Sequence, residues 1–169
     1  MIVKKRIAEK KGFEYHLTPS GRALKPVLTE IGRWGMRWTF ESMNPVQLNL
    51  STIIRDFSVA LNQDELPAGD LTIQFNITDT QPPLKKYIML REGSSQFCEE
   101  NIGTEVDVYI SGSLETLGRI WYGKISHTQA IDQGLLEVVG PPYLVNNLSL
   151  WLGVSQFADI NKSFDAGQN

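Results

Sequence analysis

Cysteine is nearly missing from this chain. Cys98 is the one thiol among 169 residues, which excludes an internal disulfide and fits a reducing compartment. Histidine is almost as scarce, with only His16 and His127, so a dense transition-metal site is not expected. Long apolar runs are lacking too: nothing approaches the roughly 20 residues that a membrane span requires. The amino-terminal "MIVKKRIAEKKG" carries charge without an apolar core of signal-peptide length, and reads as intracellular, hence cytoplasmic. No phosphate-cradling glycine loop is present, and no nucleophile-elbow glycines surround a serine. Ser126, His127 and Asp132 lie close in sequence, but adjacency is not the geometry that a nucleophile needs. Glu99, Glu100, Glu105 and Asp107 show no spacing that pairs them as acid and base. An enzyme is therefore not expected, and no cofactor or metal is called for.

What is present suits a folded domain with an appendage. Hydrophobic residues make up 41% and charged residues 21%, ordinary values for a globular chain with room for one good core. The net charge of −3 hides an asymmetry. Residues 1–41 hold nine Lys or Arg against four Glu, a balance of +5, and the remainder stands at −8. Such a split suggests a basic face for a polyanion and an acidic body that avoids one. A solvated hairpin without a partner is the plain alternative.

Local patterns predict the elements. Ile2–Ile7 and Phe13–Leu17 form a hairpin around Lys10, Lys11 and Gly12. Thr18 caps a helix with Pro19 in its first turn. Leu24, Val27, Leu28, Ile31, Trp34 and Trp38 then recur at helical spacing, and Pro26 predicts a bend or two helices meeting there. A stripe with two tryptophans must be covered, by the rest of the chain or by a second subunit. "MNPVQLN" breaks the chain, and a second helix carries Leu50, Ile53, Ile54, Phe57, Val59 and Leu61 on its apolar side. "LTIQFNIT" alternates as a half-buried strand, and "KKYIMLRE", "SQFCEE" and "EVDVYISG" are further strands. "SLETLGRIWYG" and "SHTQAIDQG" are short helices from serine to glycine, and "LLEVVG" is a last buried strand. "PPYLVNNLSLWLG" predicts one amphipathic helix, followed by a tail without a period.

Residues 2–40 resemble the carboxyl end of HxlR-type winged-helix transcriptional regulators. Tyr15, Leu17, Thr18, Pro19, Gly21, Arg22, Leu24, Pro26, Val27, Leu28, Trp34 and Gly35 fall at that family's places, with Ile31 at a leucine position. The resemblance makes Pro26 a family feature and implies that the helix dimerises through Leu24, Leu28, Ile31, Trp34 and Trp38. Met1 falls where the family's wing begins, so the recognition helix that base readout needs is not expected here. Lys4, Lys5, Arg6, Lys10 and Lys11 would then touch phosphates, giving weak, salt-sensitive, sequence-independent binding to DNA.

Residues 49–153 resemble a sterol-carrier-protein-type lipid-binding domain. The resemblance rests on Asp107, Val108, Ile110 and Gly112; Leu117, Ile120 and Gly123; Ala130, Ile131 and Gly134; and Leu136, Val138 and Gly140. It implies an α+β fold: a twisted, mostly antiparallel sheet covered by helices on one face, with an apolar tunnel between them. Here a β-hairpin and a long dimerisation helix precede it. Tunnel candidates are Phe57, Phe75, Ile88, Leu90, Leu117, Ile120, Trp121, Leu144 and Leu148, each of which serves equally well as plain core. The domains expected are residues 1–43, a partial winged helix; 44–153, the ligand-binding domain; and 154–169, a tail. The expected function is the ligand-sensing part of an HxlR-type regulator, a homodimer that binds an apolar small molecule or lipid. A dimeric carrier with no DNA role is the alternative, and a structural domain whose tunnel its own side chains fill is a third.

Overall fold

The computed structural model describes residues 1–7, 12–38, 49–101 and 103–159. They belong to two compact units, Met1–Glu41 and Ser42–Asn169. In the first, β1 (Ile2–Arg6) pairs antiparallel with β2 (Phe13–Leu17), Ile2 opposite Leu17 and Arg6 opposite Phe13. Thr18 then caps α1 (Pro19–Ala23), its Oγ1 accepting the Gly21 N–H at 3.1 Å. The chain breaks at Leu24 and resumes as α2 (Lys25–Trp38). The bend predicted at Pro26 is thus a junction of two helices. It places the proline in the first turn of α2, where the missing N–H costs little.

In the second unit, Asn49 caps α3 (Leu50–Ala60), its Oδ1 accepting the Thr52 N–H at 3.1 Å. Ile53, Ile54 and Phe57 are buried as their spacing predicts. Val59 is not: it is 81% exposed, because it falls two positions past Phe57, away from the core stripe. Five strands follow: β3 (Leu71–Ile77), β4 (Leu84–Arg91), β5 (Ser94–Cys98), β6 (Val108–Gly112) and β7 (Leu136–Val139). Their spatial order is β5-β4-β3-β6-β7, antiparallel except for the β3–β6 pair. Ile73 stands opposite Ile88 and beside Val108, so three strands send apolar side chains to one face. That face joins residues of α3, of α4 (Leu114–Trp121) and of α7 (Leu148–Trp151) in one core.

Three expectations are corrected. Strand β3 is buried on both faces rather than one, with Thr72 at 1% and Gln74 at 7% exposure. It is the central strand, and its polar residues bond to their neighbours. The Asp107 carboxylate accepts the Thr72 N–H at 2.8 Å, Gln74 donates to Asn76, and Asn76 donates to Ser111. Strand β7 is only partly buried: Leu136 is inside and Val139 is exposed, since β7 is a sheet edge. The single helix expected near the end is two, α6 (Pro142–Asn146) and α7, parted at Asn147. Side-chain donors compete with the backbone there. Asn147 donates to the Tyr143 carbonyl and the Trp151 indole to the Leu144 carbonyl, each at 2.8 Å.

Between β6 and β7 lie α4 and α5 (His127–Asp132), capped by Ser113 and Ser126. Gly123 turns the chain after α4 at φ 72°, and a Cβ there would lie 2.6 Å from the Ala158 carbonyl oxygen. Only glycine meets both demands. The segment it admits is tied down by the Ser155 N–H, which donates to the Trp121 carbonyl at 2.9 Å.

Candidate functional site

The predicted tunnel residues come from six elements, and the fold gathers them in one place. Phe57, Phe75, Ile88, Leu90, Leu117, Ile120, Leu144 and Leu148 are all buried members of the core, and Trp121 is half-buried against it. Phe57 is the hub. Its ring lies 6.0 Å from that of Phe75, nearly parallel, and 5.2 Å from Trp121, edge to face.

Two hollows flank this core. One, of about 240 Å³, is reached by Ile120 and bounded by Ile125, His127, Leu152 and Val154. The other, of about 720 Å³, is reached by Trp121 and bounded by Asp56, Val59, Tyr122 and Phe157. Val154 borders both. Sequence reasoning named Ile120 and Trp121 but missed the segment from Gly153 to Ala158, which has no periodicity to betray it.

The electrostatics of the two hollows differ. At the larger, burial raises the pKa of Asp56 against the opposing charge of Arg55. Burial, and then the negative charge of Asp56, raises that of Tyr122. Both changes favour the neutral forms. At the smaller, burial alone pushes His127 from 6.5 down to about 4, so its imidazole is neutral at pH 7. The local sequence explains where His127 sits. Ser126 and Gln129 form a reciprocal cap, with the Ser126 Oγ accepting the Gln129 N–H at 3.1 Å and the Gln129 Oε1 accepting the Ser126 N–H at 3.0 Å. Ser126 is thereby occupied as a helix cap, and Asp132 is exposed.

In the first unit, Lys4, Lys5 and Arg6 are all exposed, but strand alternation sends Lys4 and Arg6 to one side and Lys5 to the other. The Lys4 ammonium lies 3.9 Å from the centre of the Phe13 ring, a cation–π contact. Lys10 and Lys11 lie outside the described residues. On α2, Leu28, Ile31, Trp34 and Trp38 are exposed, the tryptophans by 60% and 63%, and Leu24 is half-buried. Pro26, Val27, Glu30, Ile31 and Trp34 line an open hollow of about 500 Å³ along that helix.

Among the described residues no cluster of His, Cys, Asp or Glu is arranged to hold a metal ion, and no helix is long and apolar enough to cross a membrane.

Comparison with known proteins finds a family match in each part of the chain. Residues 1–43 match the model of the HxlR-like helix-turn-helix family, and residues 54–152 that of the SCP-2 sterol transfer family. No curated protein matches it significantly. Among solved structures it is similar to a double mutant of the sec-alkyl sulfatase PisA1, at 20% identity over 66% of this chain with a TM-score of 0.50. This chain spans only 17% of that protein's length, and the likeness is one of fold. Sterol carrier protein 2 like 2 from Aedes aegypti is also similar, at 20% identity over 61% of this chain and 95% of its own, with a TM-score of 0.46. So is a conserved protein from Thermus thermophilus described as possibly a sterol carrier protein, at 15% identity over 72% and 94% of the two chains, with a TM-score of 0.41. The two family matches support a regulator or a lipid carrier in general, and neither family is one of enzymes. With a family model matching more than half of its residues, on a mixed sheet with helices packed against its apolar face, the chain belongs to the SCP-2 sterol transfer family.

Proposed function

We propose that this chain is the ligand-sensing part of an HxlR-type regulator, whose SCP-2 unit binds an apolar small molecule or lipid. The observation that carries the reading is the presence of both family matches in one chain, the HxlR-like one in its basic segment. The hollow beside Trp121, of about 720 Å³, lies within the range of about 300–1,000 Å³ typical of ligand sites. Apolar surface leaving water there contributes about 25 cal/mol per Å² buried. The exposed stripe of α2 supports a dimer through Leu28, Ile31, Trp34 and Trp38, with Leu24 at its edge. Lys4, Lys5 and Arg6, with Lys10 and Lys11, would add phosphate contacts that position the protein without reading bases. A ligand changes DNA affinity only if it binds the two dimer arrangements unequally.

A second reading, a dimeric carrier with no DNA role, is favoured by the hairpin itself. Lys4 is engaged with Phe13 and Lys5 points to the other side, which divides the positive charge.

Native mass spectrometry of the gently purified protein tests the proposal. The expected result is a dimer carrying extra mass that is lost on denaturation. A bare monomer would defeat it.

A further inference from the structure

The two faces of the β1–β2 hairpin are unlike. Its register sets Ile2 opposite Leu17, Lys4 opposite Tyr15 and Arg6 opposite Phe13, so these six side chains share one face. The contacts agree, since the Lys4 ammonium lies 3.9 Å from the centre of the Phe13 ring and 6.0 Å from that of Tyr15. The other face holds Val3, Lys5, Glu14 and His16, with the Glu14 carboxylate 2.8 Å from His16 Nε2. On the first face Ile2, Phe13, Tyr15 and Leu17 are each more than half exposed. The charges among its six residues are the exposed cations of Lys4 and Arg6, with no carboxylate beside them. A second copy of this face would set cation against cation. A nucleic-acid strand needs bare rings for its bases, yet Lys4 occupies a face of Phe13, and Ile2 and Leu17 offer no ring. An anionic bilayer matches both features. Its acyl boundary takes apolar and aromatic side chains, and its headgroups attract cations carried on long stems.

We propose that this hairpin face docks the protein on an anionic phospholipid bilayer. Ile2, Phe13, Tyr15 and Leu17 enter the acyl boundary, and Lys4 and Arg6 meet the headgroup phosphates. The inference goes beyond the ligand-sensing reading and stands whether or not the SCP-2 unit holds a ligand. A protein so docked meets apolar ligands where they are concentrated, in the bilayer itself.

Flotation of the full-length protein with vesicles of equal parts phosphatidylcholine and phosphatidylserine tests the proposal. The protein should rise with the lipid, and added salt should weaken the association. Lys4→Gln with Arg6→Gln should lower the affinity about thirtyfold, since each cation near the surface contributes a little over fivefold. Phe13→Ser with Tyr15→Ser leaves the charge unchanged and should lower it at least about tenfold. Val3→Ser, on the opposite face, should leave it as it was. Absence of flotation overturns the proposal, and so does flotation that the Phe13 and Tyr15 changes leave intact, which would give the docking to another surface. Binding of single-stranded oligothymidylate without binding of vesicles also overturns it, in favour of a nucleic-acid platform. Should the serine variant not fold, small bicelles of the same lipids with spin-labelled phosphatidylcholine read the wild-type protein. The label should broaden the ring signals of Phe13 and Tyr15 before the methyl signals of Val3, and the reverse order defeats the proposal. A bare monomer in the native mass spectrum, which defeats the ligand-sensing reading, leaves this one standing.

Discussion

Between about pH 6.5 and 5, acidification should destabilise the SCP-2 unit through His127. Burial lowers the pKa of His127 from 6.5 to about 4 in the folded protein, and among the described residues no other titratable one borders its hollow. Above the unfolded value both states are neutral, and the group contributes nothing. As the pH falls through 6.5 the unfolded chain takes up the proton first, so folding loses stability progressively until about 4, where the folded state is protonated as well. At about 1.36 kcal/mol for each factor of ten in proton affinity, the loss is about 2 kcal/mol by about pH 5 and about 3 kcal/mol at its limit. Urea unfolding at a series of pH values measures this. The fluorescence of the buried Trp151, whose indole donates to the Leu144 carbonyl, reports on the same unit. His127→Gln removes the titration and should flatten the profile by that amount. Should the variant not fold, NMR titration of His127 in the wild-type protein should show a midpoint near 4. A midpoint near 6.5, or the same pH profile in both proteins, refutes the reasoning.

The other expectations concern packing, the interface and charge. Phe57→Ala removes the ring between Phe75 and Trp121 and should cost about 3–5 kcal/mol in urea unfolding. Gly153→Ala should cost about 1–3 kcal/mol in the same assay, because the new methyl overlaps the backbone carbonyl of Ala60. Trp34→Ala combined with Trp38→Ala should shift sedimentation equilibrium toward monomer at unchanged helix content. Loss of folding stability without any change in association would show that the stripe packs within its own chain. Lys4→Ala with Lys5→Ala should reduce the salt dependence of DNA binding by about two in log–log slope, alike on unrelated duplexes. An unchanged slope would remove the phosphate role of the hairpin.

The parts of the fold legible in the sequence are those set by neighbours a few residues apart. Thr18, Ser113 and Ser126 each cap the helix that follows, because a side-chain oxygen reaches an N–H three residues on whatever the rest of the chain does. Alternation in β6 and the spacing of Ile53, Ile54 and Phe57 name a buried face for the same reason: periodicity is a local property. The glycine and apolar positions from Asp107 to Gly140 were enough to suggest the family, which the match over residues 54–152 bears out. The pattern named which residues are apolar, but not whether they enclose space or fill it.

Those matters were decided by distant partners. Gln74 is buried because β3 became the central strand, and Val139 is exposed because β7 became an edge, and strand order is invisible to alternation. The break at Asn147 is an exception, since it comes from local bonds, its amide to the Tyr143 carbonyl and the Trp151 indole to that of Leu144, which apolar periodicity does not register. The Gly153–Ala158 segment, against which Gly123 admits no side chain, borders both hollows. His127 shows the division most clearly. Its place at the head of α5 follows from Ser126 and Gln129 alone. Its burial and its neutrality come from packing beside Ile120, Leu152 and Val154, which no local rule of sequence brings to it.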